Sequence, residues 1–201
     1  MSAPLSFAGR QLGAAVRAVL VFTVVLGLAY PLVITGIARV LAPSKADGSL
    51  VEVDGQVVGS ALIGQSFAGE DGDPLPQYFQ SRPSASDYDG AASGGSNLGP
   101  NSDELAALIE ERRAAVAELE GVDPFGMPAD AVTASGSGLD AGISPEYAAL
   151  QVDRVARERG VSREEVAALA DEATGGRDLG FVGDPWVKVL ELNLALDREL
   201  R

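Results

Sequence analysis

The sequence predicts an α+β protein: a single N-terminal transmembrane helix followed by one mixed extracytoplasmic domain. Three observations carry that reading. Ala18–Ala38 is a run of 21 uncharged residues bracketed by Arg17 and Arg39. The rest of the chain combines a hairpin signal with several capped stretches of helical periodicity. Of the 201 residues, roughly 160 remain beyond the anchor, enough for one domain with its own core.

At ~1.5 Å rise per residue the apolar run is roughly 31 Å long, matching the hydrocarbon core of a bilayer. Twelve of its 21 residues are Val, Leu, Ile or Phe, and it lacks the polar face of a soluble helix. A cleaved secretory signal would have a shorter apolar core, about 7–15 residues. The nearest small-residue pattern, Val40-Leu41-Ala42, is followed by Pro43, a poor residue to cut before. A retained anchor divides the chain into an N-terminal segment 1–17, a span 18–38, a linker 39–48 and a soluble domain 49–201. Arg10 and Arg17 precede the span and Arg39 and Lys45 follow it, so the positive-inside count ties. The free amino terminus and the absence of acids before the span place the N-terminus in the cytoplasm and the domain outside. Thr23, Gly27, Pro31 and Thr35 recur at four-residue spacing, giving a face of small or kinking residues for close packing of a partner helix.

Leu50–Val53 and Gln56–Val58 flank Asp54-Gly55, a strong hairpin signal, and Ala61-Leu62-Ile63 continues the strand region. Residues 68–76, rich in acids, Gly and Pro, read as a loop, and Gln77–Gln80 reads as a short strand broken by Pro83. After a Gly/Ser/Asn-rich segment from Ser81 to Asn101, Asn101 and Glu104 form a capping box for a helix over 102–119 that Gly121 stops. Ser144-Pro145 opens a second helix ending at Gly160, and Ser162 with Glu165 opens a third, ended by Gly175-Gly176. Asp184-Pro185 caps a closing helix, Trp186–Leu200, although Leu190, Leu192, Leu194 and Leu196 also alternate as a strand would.

Composition excludes several functions. Net charge is −14, and the residues after Arg39 carry −17, the wrong sign for nucleic acid or for lying flat on anionic lipid. The turn Arg159–Val161 between two helices therefore reads as ordinary helix packing and not as a DNA reader. There is no cysteine and no histidine, which removes disulfides, thiolate metal sites, the usual zinc ligand and the usual general base. Neither Lys45 nor Lys188 neighbours a serine motif, and no spacing among the 29 acids marks a glycosidase pair. Ser93–Asn97 and Thr133–Asp140 are the distinctive runs. Their glycines allow close backbone approach and an anion-cradling turn, but neither carries the lysine of a phosphate loop.

Several strings together closely resemble one family, the C subunit of the Kdp-type potassium-transporting ATPase, over nearly the whole chain. They are Gly59–Gln65, Tyr78–Ala85, Tyr88–Ser102, Pro128–Asp140, Ile143–Pro145 and Val189–Asp197. Departures are Ala141-Gly142 where the family usually reads Pro-His, Asp153 where a proline is common, and Lys188 where an asparagine is frequent. No role of that histidine carries over. The resemblance implies a non-catalytic, single-pass subunit of the cell membrane, in contact with lipid. Its partners would be a channel-like potassium-binding subunit, a P-type ATPase subunit and a small membrane subunit. No cofactor is expected to bind tightly, and ATP enters only through the complex, where the family acts as a catalytic chaperone raising the pump subunit's ATP affinity. The phosphorylated Asp-Lys-Thr-Gly motif of such pumps is absent here.

Contacts with nucleotide or partner are expected at Gln65, Tyr88, Ser93, Gly94, Gly95, Ser96, Asn97, Thr133, Ser135, Gly136 and Asp140. Ser93–Asn97 resembles the signature loop of ATP-binding cassette proteins, which favours nucleotide. ATP is cytoplasmic, however, and in an outward domain the same loop is a docking surface. The rival reading is a membrane-anchored envelope enzyme or solute-binding module.

Overall fold

The computed structural model describes residues 3–177 and 180–200. Met1, Ser2 and Arg201, which belong to the predicted segments 1–17 and 49–201, lie outside the described residues. The chain divides between Leu50 and Val51 into two compact units.

In the first unit, α1 (Ala3–Val24), a π-helical turn (Val25–Ala29) and α2 (Tyr30–Leu41) follow one another without a break. Among the described residues, Phe7–Leu41 is the one helix long and apolar enough to cross a membrane. Its large apolar side chains, from Phe7 to Leu41, stand exposed. The π turn has a local cause. Pro31 has no N–H to give the Gly27 carbonyl, and the ladder shifts so that Tyr30 N–H donates to Val25 O, five residues back. At 3.6 residues per turn, a four-residue spacing drifts by about 40° per step. The wider turn takes back part of that drift between Gly27 and Pro31, which keeps Thr23, Gly27, Pro31 and Thr35 closer to one line. A Cβ at Gly27 would meet only the Thr23 methyl, at 3.9 Å. A short helix, α3 (Pro43–Ala46), follows.

From Val51 on, the second unit opens with a two-stranded hairpin, β1 (Leu50–Val53, its first residue at the boundary) and β2 (Gln56–Ser60). Asp54 and Gly55 both have positive φ, 52° and 77°, the backbone of a type I′ turn. Ala61-Leu62 turns, and Ile63 forms a single bridge back to Ser60. The core is built on α6 (Pro145–Arg159), whose Tyr147, Ala148, Val152, Val155 and Ala156 are buried. Against it pack α7 (Arg163–Glu172), α8 (Val189–Glu199) and a three-stranded antiparallel sheet. That sheet has β5 (Trp186–Lys188) between β3 (Gly142–Ile143) and β4 (Thr174–Gly175), with Ile143 opposite Val187 and Gly175 opposite Trp186. Helix α4 (Asp103–Glu120) and the single turn α5 (Ala129–Val132) complete the order.

The caps explain where most helices begin and end. Ser144 Oγ accepts from Tyr147 N–H, the Ser162–Glu165 capping box is fully formed, and Gly121 and Gly160 close α4 and α6 in the left-handed region. Four expectations need correction. The cap of α4 is Ser102, accepting from Leu105 N–H, and not Asn101. Asn101 is spent inside a turn in which Ser102 N–H donates to Gly99 O. Helix α7 stops at Glu172, before Gly175, because Thr174–Gly175 pairs with β5. Asp184-Pro185 does not cap the last helix. Residues 186–188 form β5, and α8 starts at Val189 with Lys188 as its N-cap. Buried Val189, Leu192, Asn193 and Leu196 then follow helical spacing.

The fourth correction concerns Gln77–Gln80, which is not a strand. Its backbone is satisfied by side chains of two helices. Asn193 Oδ1 accepts from Phe79 N–H at 2.8 Å and Asn193 Nδ2 donates to Phe79 O at 2.9 Å. Gln151 does the same for Gln80, at 2.7 and 3.1 Å. Two carboxamides thus take the place of a neighbouring strand. Arg154 donates to the carbonyls of Pro76 and Tyr78 and to Gln151 Oε1, and pairs with Glu120 at 3.0 Å, with both side chains buried.

Candidate functional site

The two distinctive loops meet in space. Gly94 N–H donates to Ser137 O at 2.8 Å, and Ser93 Oγ donates to the same carbonyl at 3.0 Å. Gly95 lies so near Gly136 that a Cβ on it would be 3.0 Å from the Gly136 carbonyl oxygen. The close pass requires Gly95 in the first loop and Gly138 in the second, where φ is 71° and a Cβ would sit 2.8 Å from the Gly94 carbonyl oxygen, whereas Gly94 and Gly136 have open space.

Arg82 ties the cluster together. Its Nε donates to Thr133 O at 3.0 Å, one terminal nitrogen to Thr133 Oγ1 at 3.2 Å, and the other to Asp140 Oδ2 at 3.1 Å. The guanidinium fork thus spans both ends of the second loop. Around it, Ser135 N–H donates to Pro83 O, and Ser84 Oγ donates to Gly138 O while accepting from Tyr88 N–H. Tyr88 sits at φ 59°, a conformation rare for an aromatic residue, and its hydroxyl donates to Arg82 O at 2.7 Å. Burial, and secondarily the Asp87 carboxylate, push the Tyr88 hydroxyl up to about 12, so it remains a neutral donor at physiological pH.

The expected site residues fall into two groups. Thr133, Ser135, Asp140 and Tyr88 are braces. Ser135 is buried, and its Oγ accepts from the N–H groups of Ser137 and Gly138. Asp140 Oδ1 accepts from Ser137 Oγ, and Thr133 Oγ1 donates to Ala129 O. Ser93, Ser96, Asn97 and Gly136 are exposed, and Gly94 and Gly95 are half-buried. Gln65 borders the cluster through its carbonyl, which accepts from Ser81 Oγ, while its side-chain amide lies over Gly59. Thr23, Gly27, Pro31 and Thr35 belong to the other unit. Arg82 was not among the expected site residues. Its signal in the sequence was isolation, as the single Lys or Arg between Lys45 and Arg112.

Much of the second loop's hydrogen-bonding capacity is spent inside the cluster. In the second loop the N–H groups of Ser135, Ser137, Gly138 and Leu139 all donate within the cluster, and Arg82 is held by Thr133 and Asp140. An anion cradle needs outward-pointing N–H groups and a cation with spare donors. Together the two loops form a ridge of small polar residues on a strongly acidic domain. Gly64 anchors one side of it through its N–H, which donates to Leu139 O at 2.9 Å. A Cβ on Gly64 would overlap the backbone carbonyl of Asp140. Gly64→Ala is accordingly expected to cost about 1–3 kcal/mol, since backbone cannot swing aside. Thermal unfolding of the full chain in mild detergent measures this as a lowered Tm.

Comparison with known proteins agrees with the string resemblance. The family described as KdpC, K+-transporting ATPase, c chain, matches residues 12–198. The Potassium-transporting ATPase KdpC subunit of Kineococcus radiotolerans is 54% identical over 198 residues, covering 98% of this chain and 97% of that protein. The subunit so named in Streptomyces coelicolor is 46% identical over 98% of this chain and 96% of its own length. That of Mycobacterium tuberculosis is 47% identical over 94% and 98%. With a family match across all but the chain's two ends, and near-half identity to relatives along their full length, this chain belongs to the KdpC family of potassium-transporting ATPase subunits.

Proposed function

We propose that the chain is the non-catalytic docking subunit of its potassium-transporting ATPase, anchored by Phe7–Leu41 with its N-terminus in the cytoplasm and its domain outside. The ridge formed by Ser93–Asn97 and Thr133–Asp140 rests on the channel-like potassium-binding subunit of the complex, beside the ATPase subunit and the small membrane subunit. ATP is bound and hydrolysed on the ATPase subunit. The chaperone effect on ATP affinity is exerted through protein contact, with no nucleotide held by this chain. One observation carries this reading: Arg82, the cation nearest the loops, is committed to Thr133 and Asp140. A polyphosphate entering there would meet a −17 field, and the other arginine at the second loop, Arg112, touches it only at Val132 O, at 3.4 Å.

The test has two parts. Affinity purification of the tagged full chain in mild detergent is expected to bring down its large membrane partners. The chain purified away from them is expected to hydrolyse no ATP. Steady turnover by the isolated chain, lost on a point change within it, would overturn the non-catalytic reading.

A further inference from the structure

We propose that an open groove beside Trp186 receives a bulky apolar side chain, flanked by basic residues, from an extended segment of a partner membrane subunit. This rests on the docking reading above and names what is recognised there. The groove has a volume of about 540 Å³ and is lined by Leu62, Ile63, Leu139, Ala141, Gly142 and Trp186, with Ser137 and Asp140 at its margin. Ser137, Leu139 and Asp140 belong to the second loop as well, so groove and ridge form one continuous surface.

Trp186 is the only tryptophan of the chain, and it is 36% exposed. It lies on the central strand of the three-stranded sheet, flanked by two glycines. A Cβ on Gly142 would overlap its ring, and one on Gly175 would sit 3.3 Å from Nε1. Two bare backbones therefore hold a large ring in a fixed pose with one part open to solvent. Leu62 and Ile63, which line the same groove, are 64% and 40% exposed, on a turn tied by Ile63 N–H to Ser60 O. A fixed, half-exposed Trp sharing a groove with aliphatic side chains is the kind of anchor that carries interface energy, because little entropy is lost when it is covered. Charge selects the occupant. Asp140, the one charged residue among those lining the groove, is already paired with Arg82, so the selecting charge is that of the domain as a whole, −17 after Arg39. An acidic segment is repelled, and a basic one is drawn in.

The single tryptophan supplies the test. The full chain is prepared with 5-fluorotryptophan in mild detergent and mixed with the other subunits purified without it. Its one fluorine resonance is expected to shift and become shielded from solvent as the complex forms. Leu62→Glu, at an exposed position, should leave the free-state resonance in place yet weaken association by about tenfold or more. Association should also weaken as salt is raised. An unmoved resonance in a complex that still forms, with Leu62→Glu binding normally, would overturn the groove while leaving the docking reading intact. That reading is followed independently by thiol protection at Ser96→Cys, and loss of both signals removes both. Self-association of the chain alone, abolished by Leu62→Glu, would assign the groove to a second copy and overturn the proposal. Association insensitive to salt would overturn its basic character.

Discussion

Arg154→Met is expected to destabilise the domain by about 3–5 kcal/mol, the usual result of removing one partner of a buried ion pair. Glu120 is left buried without its guanidinium, and the carbonyls of Pro76 and Tyr78 and Gln151 Oε1 lose a donor together. Among the described residues, Glu120 Oε1 already has no hydrogen-bond partner, so nothing nearby is poised to take over. The loss also has a predictable pH dependence. Burial pushes the Glu120 carboxyl above its ordinary 4.5, and Arg154, then Arg157, pull it back. Without Arg154 the carboxyl rises further. A carboxyl raised in the folded state favours folding once protonated, and that contribution is lost as pH rises through the folded value. The gap between Arg154→Met and the native chain should therefore be widest near neutrality and narrow as pH falls toward 4.5. Denaturant unfolding of both proteins across that range measures it, and a gap that widens in acid would contradict the account.

Arg82→Lys is expected to act on the ridge and much less on the core. A lysine keeps the charge and can reach one of Thr133 O, Thr133 Oγ1 or Asp140, but it cannot span all three as the fork does. Loss of charge-assisted bonds to a half-buried group costs about 1.5–3 kcal/mol. That strain falls on the segment 133–140, whose contacts with Gly94, Ser84 and Gly64 hold the first loop in place. The expected outcome is a domain that still unfolds cooperatively but recovers its partners from detergent extracts several-fold less well. Wild-type recovery by Arg82→Lys would show that the charge alone suffices and that the fork is not what arranges the loops.

The span, the Asp54-Gly55 hairpin and helices α6 and α7 were legible in the sequence because their causes are local. Uninterrupted apolarity, two adjacent left-handed residues and an N-cap serine each act within a few positions. Gln77–Gln80 was not legible as it stands. Its alternation is that of a strand, but the groups that satisfy its backbone come from Gln151 and Asn193, 71 and 114 residues away. Helix α4 shows the same limit at short range, since the turn at Gly99 claimed Asn101 and moved the cap by one residue. For the site, the glycine-serine runs drew attention to both loops, but not to their contact at Ser137 O nor to Arg82, which no local pattern connects to Thr133 or Asp140. Trp186 was hidden for a similar reason: its setting is made by Gly142 and Gly175, brought alongside by strand pairing.

The central claim is that Ser93–Asn97 lies outside the membrane and faces a partner protein. Because the chain has no cysteine, Ser96→Cys, at an exposed position, provides a single thiol that can be challenged in intact cells with a membrane-impermeant reagent. Labelling without the partner subunits, and protection when they are co-expressed, is the predicted result. A thiol that reacts only after the membrane is permeabilised would place the loop in the cytoplasm, restore direct nucleotide contact as its role, and contradict the account.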